Sequence, residues 1–136
     1  MTRNGALRRL AIIWAVGSAI LALVLFLQSA FGKFGGDYKV AIGWGLSSVA
    51  PTLSLITTAA LADGSRRWRD GPAEPFRLRL ATWCSIAYLA ALIGLLFVEA
   101  FIEPTWAELL TIAEMPTAVG QALAVAAITA VIFDKR

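Results

Sequence analysis

Six hydroxyl residues crowd around one proline in the stretch AIGWGLSSVAPTLSLITTAAL, residues 41–61. They are Ser47, Ser48, Thr52, Ser54, Thr57 and Thr58, and the proline is Pro51. Inside an apolar segment such hydroxyls have two uses: they bond to a neighbouring helix, or they line a path or pocket for water or a neutral solute. The proline adds a third demand. It has no N–H to donate, and its ring crowds the carbonyl four residues back, that of Ser47. In hydrocarbon a carbonyl without a partner costs several kcal/mol. Ser47, Ser48 and the neighbouring hydroxyls, waters or an adjacent helix are the groups able to meet it. The expectation is a kinked span whose kink is chemically buffered.

At helical spacing, Gly43, Ser47, Pro51, Ser54 and Thr58 fall on one stripe, with Ser48 and Thr52 beside it. Trp44, Leu46, Val49, Leu53, Leu55 and Ile56 occupy the other faces. This predicts a small, polar face turned to protein or water and an oily face turned to lipid. Ser47, Ser48, Pro51, Thr52, Ser54 and Thr58 are thus the candidate hinge or lining residues. Helix packing is the favoured reading of the stripe, because small and hydroxyl residues are the ordinary means by which membrane helices approach each other.

Other chemistry is sparse. Gln28 and Gln121 are the strongest neutral hydrogen-bonding side chains near the apolar segments, placed to bond to each other, to another helix or across a subunit interface. Arg66, Arg67, Trp68, Arg69, Arg77 and Arg79 form a basic loop suited to anionic lipid headgroups or a soluble partner, beyond the simpler role of setting topology. There is no histidine, which removes the commonest general base and metal ligand. The single cysteine, Cys84, excludes an intrachain disulfide. GKFGG at residues 32–36 lacks the Lys-Ser/Thr ending of a phosphate-binding loop and reads as a turn. No charged residue lies deep in an apolar block, which argues against proton-driven transport. The expectation is therefore no catalysis, no metal and no cofactor, and the net charge of +3 gives no reason to expect nucleic acid.

These residues must be positioned by the apolar blocks. With 59% hydrophobic residues in 136, the chain is too short to hide four such blocks in one soluble core. Spans are expected at about 10–31, 40–62, 80–98 and 116–133, each long enough for ~30 Å of hydrocarbon. The first is too long for the apolar part of a cleaved signal, and no clean cleavage site follows it. Gly64 is a plausible cap for the second, and Pro116 suits the first turn of the fourth. Ten basic residues flank the spans on one side (Arg3, Arg8, Arg9, the five loop arginines, Lys135 and Arg136) against Lys33 and Lys39 on the other. That bias predicts cytoplasmic ends and a cytoplasmic Arg-rich loop. The opposite loop is acidic. Within it Thr105 and Glu108 have capping-box spacing, so a short helix with Trp106, Leu109, Leu110 and Ile112 on its apolar face is expected to lie in the interface before the fourth span.

The fold class expected is all-α, a four-transmembrane-helix bundle in a plasma or bacterial inner membrane. The function expected is that of a non-enzymatic, oligomeric membrane subunit that changes permeability or anchors and signals to a cytoplasmic partner. Membrane effectors of bacterial stress or antiviral defence belong to that class. The alternatives are a small channel or facilitator for a neutral solute, and an accessory subunit of a larger membrane complex.

Overall fold

A backbone in hydrocarbon must satisfy its own hydrogen bonds, and continuous helix is how a single span does so. The computed structural model of the chain describes residues 2–61, 74–98 and 105–133. They form four helices: α1 Arg3–Ala30, α2 Tyr38–Leu61, α3 Pro75–Val98 and α4 Trp106–Ile132, with a 3₁₀ turn at Gly35–Asp37 before α2. All four are long and apolar enough to cross a membrane. At 24 to 28 residues they measure about 36 to 42 Å, longer than the ~30 Å hydrocarbon core.

The helices begin before the apolar blocks do. Thr2 caps α1, its hydroxyl accepting from the Gly5 N–H at 3.3 Å, so Arg8 and Arg9 are helical rather than flanking. Pro75 opens α3, where its missing N–H is not needed, which draws Arg77 and Arg79 into the helix. Apolar runs mark the part of a helix that suits lipid; caps mark where the helix starts.

The largest departure from expectation is α4. Among the described residues no separate interfacial helix precedes it. The Glu108 carboxylate accepts from the Thr105 N–H at 3.2 Å, so the capping box starts a single helix that runs through Pro116 to Ile132. Ala113, Glu114 and Met115 are good helix formers, and the helix passes through Pro116 rather than restarting there, although the proline has no N–H for the Ile112 carbonyl. Pro116 is an interior residue and not a first-turn one. Trp106, Leu109 and Leu110 are buried against the bundle, while Ile112 faces out at 67% exposure.

α1 packs against α2 and α3, and α4 packs against the same two. The order around the bundle is therefore α1, α2, α4, α3, with α2 and α3 across one diagonal. The centre is filled by Leu10, Trp14, Leu21, Leu96, Ile128 and Ile132, each at most 1% exposed. Ile12, Val16, Ile20, Leu23, Phe97, Val119 and Leu123 point outward. An apolar exterior over an apolar core is the pattern of a bundle solvated by lipid.

One end is closed by the GKFGG turn. Gly32 adopts φ +72°, and the Lys33 N–H reaches the Gln28 carbonyl at 2.9 Å while the Gly32 N–H reaches Ser29 at 3.0 Å. This pair of bonds is a Schellman cap. It swings the Lys33 ammonium onto the Leu96 carbonyl, 2.7 Å away, at the C-terminal end of α3, where a cation meets the negative end of the helix dipole. The same ammonium lies 4.9 Å from the ring of Trp106, which meets Phe34 edge-on at 4.6 Å. Nothing lies within 4 Å of where a Cβ on Gly32 would sit, so only backbone conformation demands glycine there. Gly32→Ala is expected to lower stability in detergent by about 1 kcal/mol, and Gly32→Asn by less, because asparagine tolerates the left-handed region. Equilibrium unfolding in mixed micelles would check both.

Candidate functional site: the polar layer at Pro51

Pro51 lies inside α2. The Ser47 carbonyl has no proline N–H to receive, and the groups that meet the opened turn come from other helices. The Gln121 amide of α4 donates to the Ser48 carbonyl at 3.2 Å and reaches the Ser47 carbonyl at 3.5 Å. The Tyr88 hydroxyl of α3 crosses the bundle to donate to the same Ser48 carbonyl at 2.9 Å. The serines themselves look the other way. Both Ser47 and Ser48 donate to the Trp44 carbonyl, at 2.9 and 2.7 Å. So the adjacent-helix route buffers the kink, while the hydroxyls of α2 serve their own preceding turn.

The layer continues into α1. The Trp14 indole N–H donates to the Ser85 hydroxyl at 2.9 Å, and both side chains are wholly buried. The rings of Trp14 and Tyr88 lie 5.9 Å apart. Ser85, Trp14, Tyr88, Ser48 and Gln121 thereby bind all four helices at one level. Gly120 makes room for it: a Cβ there would sit 3.0 Å from the Tyr88 ring. Trp14, Ser85 and Tyr88 were not evident as a site from the sequence. The available signal was an aromatic ring with a polar tip deep in an apolar span, since such a tip needs a partner when buried.

The candidate residues of α2 divide differently from the sequence expectation. Ser48 and Thr52 are buried, at 3% and 0% exposure, and belong to the core. Gly43, Ser47, Pro51, Ser54 and Thr58 are all exposed on the outside of the bundle. Nor does the oily face turn wholly to lipid, because Val49 and Ile56 are buried. The reason is a second small stripe, Ala41, Gly45, Ser48, Thr52 and Ala59, on the inward side. A side chain at Gly45 would collide with Leu25 of α1, so this stripe is the one that admits close packing.

Gln28 and Gln121 do not meet. Gln28 donates to the Leu96 carbonyl at 3.3 Å, joining Lys33 there, while Gln121 serves the kink. Both act as interhelical contacts, at different levels. Of the basic residues, Arg66, Arg67, Trp68 and Arg69 lie outside the described residues. Arg77 pairs with Glu74 at 2.7 Å and reaches the Ala130 carbonyl of α4 at 3.4 Å. Arg79 is exposed. Among the described residues no three of Cys, Asp or Glu come together as a metal site would require. An apolar groove of about 520 Å³ runs between α3 and α4 beside Pro116, and one of about 340 Å³ between α1 and α2 beside Gly45; no charged side chain lines either. Comparison with protein-family models, curated proteins and solved structures finds no match to this chain.

An interior proline costs about 3 kcal/mol. Two interhelical bonds at about 1 kcal/mol each recover most of that. Gln121→Leu is therefore expected to destabilise the wild-type chain by about 1 kcal/mol and a Pro51→Ala background by measurably less, since the restored N–H then meets the Ser47 carbonyl and only the bond to the Ser48 carbonyl is left to lose. A double-mutant cycle on unfolding free energies would read this coupling. Ser85→Ala should cost about 1–3 kcal/mol by leaving the Trp14 N–H buried without a partner, and the Ser85→Ala, Trp14→Phe pair should recover part of it.

Proposed function

We propose that the protein is a non-enzymatic integral membrane subunit that works as an assembly of copies of itself, with its Arg-bearing end cytoplasmic. It alters membrane permeability, or anchors and signals to a cytoplasmic partner, as membrane effectors of bacterial stress or antiviral defence do. The observation that carries this reading is the outward position of Gly43, Ser47, Pro51, Ser54 and Thr58. The single bundle is already tied together by its inner stripe, and its centre is filled by side chains. A second small and hydroxylated stripe gains little against lipid. Against another copy it permits close approach and bonds averaging ~0.6 kcal/mol each. Any path for a solute would then run between copies, along α2, and the kink at Pro51 sits where such a path would be gated. The ten-to-two bias of basic residues supports the orientation.

A cysteine on the stripe tests the assembly. In a Cys84→Ala background reconstituted in vesicles, Ser54→Cys is expected to give a disulfide-linked dimer on mild oxidation, and Ile20→Cys on the outer face of α1 is expected to stay monomeric. A monomer in both would overturn the assembly. Ion or solute flux from the same vesicles decides between its two forms: leakage supports the permeability role, and cross-linking without leakage supports the anchoring one.

A further inference from the structure

Arg9 and Arg79 come together at the basic end of the bundle. α1 and α3 run in the same direction, as the Trp14–Ser85 and Gln28–Leu96 bonds together fix, so residue 9 of one lies level with residue 79 or 80 of the other. Between them is a groove of about 480 Å³, lined by Arg9, Arg79, Thr82, Trp83, Leu78 and Ile86 among others. Its upper rim carries two exposed guanidinium groups. Neither meets a carboxylate among the described residues, and Glu74 at the same end is taken by Arg77. Deeper in the groove is Thr82, only 6% exposed, whose buried hydroxyl oxygen has no hydrogen-bond partner. Ser18, Ser29 and Thr52 have buried hydroxyls in the same state, but of these four Thr82 is the one in the groove lined by two cations, and that combination points to an oxygen-rich anion. Buried Leu78 lies at the level of the arginines, and further along α3 the wall becomes apolar, with Trp83 and Ile86 open to the outside at 69% and 42% exposure.

We infer that this groove binds the phosphate headgroup of an anionic membrane phospholipid. Guanidinium groups fit phosphate oxygens in a forked geometry. The Thr82 hydroxyl supplies a further donor at the depth of the glycerol, Trp83 lies at the level where indole rings favour the interface, and Ile86 continues into the region of the acyl chain. The order of charge, hydroxyl, indole and aliphatic side chain along one groove matches the order of groups along a phospholipid. Two cations that meet no carboxylate among the described residues favour an anionic headgroup over a choline one. The other two grooves carry no cation and offer no such sequence. The inference rests on the membrane placement proposed above.

The test is native mass spectrometry of the full chain released from detergent, titrated with phosphatidylglycerol and with phosphatidylcholine of the same acyl chains. One phosphatidylglycerol should be retained, at least about tenfold more tightly than phosphatidylcholine. The Arg9→Ala, Arg79→Ala double variant should lose that preference. Thr82→Val should weaken binding without lowering thermal stability, because it removes a hydroxyl that bonds to nothing in the protein. Arg8→Ala, which removes the same charge outside the groove, should bind as wild type. Equal retention of the two lipids, or an equal loss in Arg8→Ala, would overturn the site. Glycerol phosphate or inorganic phosphate competing as well as the lipid would overturn the lipid assignment in favour of a soluble phosphate. Alkaline extraction of membranes separates this failure from failure of the membrane placement: release of the protein into the supernatant sinks the placement, whereas a lipid-blind protein that stays in the pellet sinks only the site.

Discussion

A proline in the middle of α2 obliges the rest of the bundle to supply what the helix can no longer supply for itself. In water the freed carbonyl would be solvated at small cost. Between apolar helices it needs a donor from a neighbouring chain segment. The Gln121 amide of α4 reaches that carbonyl at 3.5 Å, and both it and the Tyr88 hydroxyl of α3 donate to the next carbonyl of the turn, that of Ser48, which they can do only if those helices sit at one rotation and one depth. Tyr88 in turn lies against Trp14, whose own N–H is held by Ser85. All four helices are therefore tied together by one polar layer at the level of the opened turn. Apolar contacts alone would permit helices to slide, since lipid is as good a neighbour as leucine.

The two ends of the bundle are fixed by different physics. At one end a glycine cap turns the chain and delivers Lys33 and Gln28 to the same carbonyl at the end of α3. That contact is short, local and aided by the helix dipole. At the other end Arg77 spans from α3 to the Ala130 carbonyl of α4, while Arg9 and Arg79 are left facing the groove. One end is thus closed by the protein's own groups, and the other presents charge outward. A membrane protein whose interactions with headgroups and partners occur at one end has this asymmetry, and the proposed lipid site and cytoplasmic role both use it.

Among the described residues, large side chains fill the centre of the bundle. What remains for function is the surface: the outer stripe of α2 and the basic groove. The kink links them to the core, because the turn that exposes Pro51 outward is the turn whose carbonyls bond inward. A change in how α2 meets a neighbour would be felt at Tyr88 and Gln121 through that turn.

The sequence by itself determined the four long apolar helices, their approximate extents, the capping box at Thr105 and the need for a donor at the Ser47 carbonyl. Each of these depends on composition or on spacing along one helix, so no other segment had to be known. It could not determine that the capping box starts the fourth span itself, because nothing local distinguishes a short helix that ends at Pro116 from a long one that passes through it. It could not choose between the two small stripes of α2, since both satisfy helical spacing and the neighbours brought by other helices, Leu25 against Gly45 and Tyr88 against the Ser48 carbonyl, mark the inside. Nor could it pair Tyr88 with Ser48, Trp14 with Ser85 or Arg9 with Arg79. Those pairings join residues far apart in the chain, and the depth and rotation of each helix decide them, quantities that tertiary packing alone supplies.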